Sequence, residues 1–171
     1  MKITTRIFLL LLICTIGCKQ SDWITFRSFE GGFSIQSPSE LHQQIVSMES
    51  FIGPIEFTLF MLEEEKFVYL VGYSDYPDSI IFGKTAEELL KYAASGAIAN
   101  MKGTLLKESP ISLGENPGWQ ISIKEEQTKR EYQIHLYLVG NRLYQLTTLA
   151  PQKAPFQQNA KRFLDSFVLL D

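Results

Sequence analysis

Two cysteines, two histidines and a scatter of carboxylates hold most of the reactive chemistry in this 171-residue chain. Cys14 and Cys18 both lie near the N-terminus, so the remainder can build no disulfide framework and no thiolate metal site. His42 stands beside Leu41 in a stretch that reads as a connection. His135 alternates with Gln133 and Tyr137, opposite Ile134, Leu136 and Leu138, which puts it on the polar face of a strand. Neither histidine has a sequence partner at ligand spacing. Each reads as a solvated or hydrogen-bonded surface imidazole in preference to a base or a metal ligand.

Carboxylates and tyrosines give two further candidates. Glu63-Glu64-Glu65 could attract a cation or a basic partner, but three carboxylates at a hairpin tip more simply keep a turn solvated. Asp75 and Asp78 flank Pro77, and two carboxylates are too few for a calcium ion, which takes about six oxygen ligands or more. A turn-forming role suits both. Tyr69, Tyr73 and Tyr76 gather near one end of a hairpin, and Tyr132, Tyr137 and Tyr144 lie on later strands. Tyrosine suits surfaces that are both apolar and wet, although the same rings could line the edge of a core. If one cluster marks a partner surface, it is Tyr73, Asp75 and Tyr76. No Gly-x-Ser-x-Gly elbow, phosphate-binding Gly-x-x-x-x-Gly-Lys loop or His-Glu-x-x-His pair occurs. The expectation is therefore no catalytic residue, no metal ligand set and no cofactor.

The N-terminus sets the context of Cys18. Lys2 and Arg6 precede an apolar run from Ile7 to Ile16, then Gly17 and Cys18. A basic start, an apolar core of roughly 7 to 15 residues and a small residue at the cut describe a secretory leader. A membrane-spanning helix would need ~20 apolar residues. Thr15-Ile16-Gly17-Cys18 resembles the lipobox of bacterial lipoproteins, with Thr15 where that motif usually has Leu. The resemblance implies signal-peptidase recognition through Thr15, Ile16 and Gly17, cleavage before Cys18, and diacylglycerol on its thiol. An ordinary secreted protein is the alternative. Cys14 follows Ile13 inside the apolar core and lacks the small residue in front. Lys19 follows where an Asp would retain some lipoproteins at the inner membrane, which favours the outer membrane in a Gram-negative cell.

Three parts follow: a leader over 1–17, a lipidated cysteine with a short tether over 18–22, and one domain over 23–171. Losing Lys2 and Arg6 leaves 14 basic against 19 acidic side chains, a formal charge of −5. That balance repels phosphate backbones, so nucleic acid is not an expected partner.

The elements that must position these residues read as strands, a helix, strands and a closing helix. Phe33–Ser37 alternates after Gly31-Gly32, Gln43–Glu49 offers a second strand, and Ile55–Met61 with Phe67–Tyr73 makes a hairpin. Asp75–Gly83 reads as a loop. Thr85 and Glu88 form a capping box ahead of Leu89, Leu90, Ala93, Ala97, Ile98 and Met101, which predicts a helix over 85–102 ended by Gly103. Thr104–Leu113, Gly118–Glu125, Glu131–Val139 and Arg142–Leu149 read as strands, the last two joined by a Gly140-Asn141 turn. Phe156, Ala160, Phe163, Leu164 and Phe167 form one apolar stripe of a final helix. The fold class is α+β, with a mostly antiparallel sheet.

Phe33-Ser34-Ile35-Gln36-Ser37-Pro38, Tyr73-Ser74-Asp75-Tyr76-Pro77, Arg142-Leu143-Tyr144-Gln145-Leu146 and Arg162-Phe163-Leu164-Asp165-Ser166-Phe167 together resemble the PsbP-like family. The resemblance implies a central antiparallel sheet flanked by helices, an α/β/α sandwich. It also implies a non-enzymatic role in assisting or stabilising a larger protein assembly. The reading that follows is a lipid-anchored binding or assembly module whose partner is another envelope protein. A domain binding a small ligand or cation, with an aromatic-lined pocket between sheet and helix, comes second, and a hydrolase third.

Overall fold

The computed structural model describes residues 22–50, 53–101, 103–125 and 127–170. Thr15, Ile16, Gly17 and Cys18 lie outside the described residues. The elements are β1 (Ile24–Ser28), β2 (Phe33–Ser37), β3 (His42–Ser50), β4 (Gly53–Glu64), β5 (Phe67–Asp75), α1 (Asp78–Ile81), α2 (Ala86–Met101), β6 (Thr104–Leu113), β7 (Asn116–Lys124), β8 (Arg130–Val139), β9 (Arg142–Pro151), α3 (Ala154–Asp165) and β10 (Val168–Leu169).

Seven strands form one sheet in the order β3-β4-β5-β9-β8-β7-β6, and every neighbouring pair is antiparallel. Two meanders, β3-β4-β5 and β6-β7-β8-β9, join where β5 pairs with β9. That seam sets Tyr73 opposite Tyr144 and Asp75 opposite Arg142. Short turns fix the registers: Glu65 and Lys66 close β4 onto β5, and Gly140 with Asn141 closes β8 onto β9. Gly140 has φ +60°, and a positive φ at the first central residue is what a type II′ turn requires.

Strand periodicity divides the core in two, because successive side chains point to opposite faces. On one face Phe60, Tyr69, Val71, Tyr73, Tyr144 and Leu146 pack with Phe33, Phe163 and Phe167. On the other, Phe57, Ile121, Ile123, Ile134, Leu136 and Leu143 pack with Leu89, Leu90, Ala94 and Ala97 of α2. Helix α2 contacts β7 and β8, whereas α3 contacts β9, β2 and β5. A small sheet, β1-β2-β10, belongs to the first cluster through Phe26, Phe33 and Ile35.

The capping box forms as read: Thr85 N–H donates to Glu88 Oε2 at 2.7 Å, and Glu88 N–H donates to Thr85 Oγ1 at 3.2 Å. Several local expectations change. The Asp75–Gly83 loop contains the short helix α1, and β7 starts at Asn116 instead of Gly118. His42 opens β3 instead of sitting in a connection. The final helix ends at Asp165, so Phe167 of its stripe lies beyond it. Phe167 is still only 2% exposed, because the chain leaves the helix at Ser166 and pairs β10 with β2 beside the same core.

Candidate functional site

The junction of β5, β9 and the β1–β2 turn is braced by a connected set of hydrogen bonds. Asp75 ends β5 and Arg142 begins β9 directly opposite. Arg142 Nε donates to Asp75 Oδ1 at 2.6 Å and Nη2 to Oδ2 at 2.7 Å, a two-pronged pair. Its remaining Nη1 donates to the Glu30 carbonyl at 2.9 Å, and the guanidinium lies 4.4 Å over the Tyr73 ring. Tyr144 donates its hydroxyl to the Gly31 carbonyl at 2.7 Å, and Gly31 N–H donates to Ser28 Oγ at 3.0 Å. Leu170 N–H closes the set on the Gly32 carbonyl at 2.8 Å. The turn from Ser28 to Gly32 is thus pinned from three directions. At its tip Phe29 projects with 85% of its surface exposed.

Of the expected surface of Tyr73, Asp75 and Tyr76, the structure turns both tyrosines inward. Tyr73 and Tyr76 are buried, 6% and 2% exposed, each in a different core cluster. Tyr73 shares a strand face with Tyr69 and Val71, and Tyr76 N–H donates to the Asn141 carbonyl while Asn141 Nδ2 donates back to the Tyr76 carbonyl. Burial pushes the Tyr76 hydroxyl up to about 12. Asp75 alone of the three reaches solvent. The hydrogen bonds from Arg142 hold its carboxyl below the usual range, and Asp75 in turn raises Arg142. A carboxylate kept ionised by a two-pronged guanidinium is a weak proton acceptor. The arrangement suits presentation of Phe29 better than proton transfer.

Of the two readings of His135, solvated or hydrogen-bonded at the surface, the structure favours the second. The imidazole is half-buried on β8, and the Tyr137 hydroxyl lies 3.3 Å from its Nδ1. Burial pulls its pKa down to about 4, with Asp165 opposing and Lys161 adding to the shift. The physical reason is α3, whose Gln157, Lys161, Leu164 and Asp165 share a cavity of about 330 Å³ with His135. A neighbouring hollow of about 380 Å³ over β6, β7 and β8 shares Gln120, Gln133 and His135. Its polar groups largely satisfy one another: Gln120 donates to Ser109 at 2.7 Å, Gln133 to Gln157, and Ser122 to Glu131. The groove beside α3 is therefore polar.

The other candidates are dispersed. Glu63, Glu64 and Glu65 are exposed at the β4–β5 turn, as the hairpin reading has it. Asp78 opens α1 and is exposed. Phe29 was missed because a lone aromatic after a polar strand carries no periodic signal. The pair Gly31-Gly32 behind it was its one sequence trace, as the mark of a tight turn.

No family model matches the chain, and no curated protein sequence matches it. Solved structures do. The solution structure of cyanobacterial PsbP (CyanoP) from Synechocystis sp. PCC 6803 superposes with a TM-score of 0.60 at 11% sequence identity, covering 90% of this chain and 95% of that one. A superposition over nearly the whole of both chains shows that this protein has a PsbP-like fold.

Proposed function

We propose that the protein is a non-catalytic accessory module of a bacterial envelope, anchored by lipid on Cys18, that docks another envelope protein through the Phe29 turn beside Asp75 and Arg142. The observation that carries this reading is Phe29, 85% exposed on a turn that Arg142 and Tyr144 hold rigid. Rotating an apolar ring into water on a braced loop stabilises nothing in the isolated chain, whereas a pre-ordered aromatic anchor lowers the entropic cost of binding a partner. The PsbP-like fold supports an assembly role by analogy, with α2 and α3 as the helical layers of a sandwich around the sheet. Among the described residues no helix is long and apolar enough to cross a membrane, and the proposed anchor rests on the likeness of Thr15-Ile16-Gly17-Cys18 to a lipobox.

A photo-activated cross-linker placed at position 29 in the native envelope should give one dominant protein adduct. The same cross-linker at Glu65, on the opposite end of β5, should not give it. Cys18→Ser should at the same time abolish acyl labelling and move the protein from the membrane to the soluble fraction. Indistinguishable adduct patterns at the two positions would sink the docking claim, and unchanged membrane retention would sink the anchor.

A further inference from the structure

The two edges of the seven-stranded sheet are built differently. Edge strands expose a row of unpaired backbone donors and acceptors, and proteins commonly blunt them with proline, lysine or a bulge. Strand β6 has all three: Pro110, Lys107, and a register irregularity between Leu105 and Lys107. Strand β3 has none of them. Its nine residues keep unbroken register with β4 from His42 opposite Met61 to Ser50 opposite Gly53, and no proline, lysine or arginine interrupts it. Among the described residues no strand pairs with its outer side.

Apolar surface adjoins this open edge. Ile45 is 66% exposed on the strand. Gln43, two residues earlier on the same face, lines a cavity of about 350 Å³ whose walls mix Phe26, Phe29, Leu41 and Phe60 with Arg27, Ser28 and Glu30. From Gln43 to Met48 the strand carries no formal charge. A strand of complementary chemistry must itself be regular, uncharged along its middle and apolar on the same face.

We infer that β3 pairs antiparallel with β3 of a second copy of this chain, extending the sheet across a two-fold axis. The geometry restricts the register. A two-fold normal to a continuous sheet keeps each face on its own side, so residues opposite each other must share parity. Of the registers that parity allows near the middle of the strand, the one that joins apolar to apolar sets Ile45 opposite Ile45 of the copy. In that register position 49, the one acidic position of the strand, falls opposite position 41 and not opposite itself. Self-pairing therefore joins apolar to apolar without setting like charges together. This goes beyond the accessory reading and stands without it, since it names a copy of the chain and not a partner.

The test uses the full chain with Cys14→Ser and Cys18→Ser, so that an introduced thiol is the sole one. Ile45→Cys should form a covalent dimer under mild oxidation in cells, and Ser112→Cys on β6 should not. Sedimentation should show concentration-dependent dimers of the parent, with dissociation at least about tenfold easier for Ile45→Lys, which sets like charges face to face. Equal unfolding temperatures of the variants exclude misfolding as the cause. A monomer at every concentration overturns the inference, as do dimers indifferent to Ile45→Lys or a covalent adduct of Ile45→Cys with a different protein.

Discussion

One guanidinium, that of Arg142, ties the end of β5 to the β1–β2 turn, and it does so with a residue 67 positions away in sequence. Such a pair was not legible locally: Asp75 read as a turn residue because its partner appears only once β5 meets β9. His135 shows the same limit, since its alternation with Gln133 and Tyr137 gave the right face of β8 but no sign that α3 would lie against it. That burial has a measurable consequence. With a folded pKa of about 4 against 6.5 for the free side chain, the unfolded chain binds more protons between these values. Stability from this group is therefore complete above about pH 6.5 and falls as the pH drops toward 4, by an amount on the order of 2–3 kcal/mol. In urea titrations across that window, His135→Gln should flatten the decline. An equally steep decline in the variant would place the acid sensitivity elsewhere, with the carboxylates as the first suspects.

At the scale of elements, period-two alternation and the capping box were read directly because both are local. Strands Phe33–Ser37 and Thr104–Leu113 fall where their alternation and bounding turns put them. What stayed hidden was the face each tyrosine would take, because alternation identifies two faces without saying that both are covered. Here both are, so Tyr73 and Tyr76 enter separate cores. The hairpin of β4 and β5 also contains a packing constraint that composition alone conceals. Gly72 sits opposite Leu59, and a Cβ built at Gly72 would meet Leu59 Cδ2 at 2.4 Å and the Thr58 carbonyl oxygen at 2.8 Å. The leucine can turn away, but the backbone oxygen cannot. Gly72→Ala should thus cost about 1–3 kcal/mol through overpacking. Gly96→Ala in α2, where nothing lies within 4 Å of the added Cβ, should be neutral or stabilising. Equal denaturation midpoints for the two variants would show that the hairpin relaxes freely around the added methyl.

For the whole molecule, the course of β1 fixes which end faces the proposed anchor. Trp23 packs edge-on against Tyr69 at 5.8 Å and beneath Arg162 at 4.6 Å, near the start of β5. The chain therefore enters at the end that carries the Glu63–Glu65 turn, and β1 runs from there to the Phe29 turn at the other end. Strand β5 spans the same interval from Phe67 to Asp75, which at ~3.3 Å per residue separates the two ends by roughly 25 Å. If lipid on Cys18 tethers the chain, four residues before Trp23 leave little slack, and the acidic turn must stand nearer the bilayer than Phe29 does. Under the same condition the carboxylates there would resist collapse of the domain onto anionic headgroups, and the exposed ring would stand away from the bilayer. Energy transfer to acceptor lipids can measure this directly in the lipidated protein. A dye on Glu65→Cys should be quenched strongly and a dye on Phe29→Cys weakly, with the contrast persisting at high salt because the tether, not charge, sets it. Equal quenching would mean that the domain lies flat, and stronger quenching at position 29 would turn the proposed docking face toward the membrane instead of a protein.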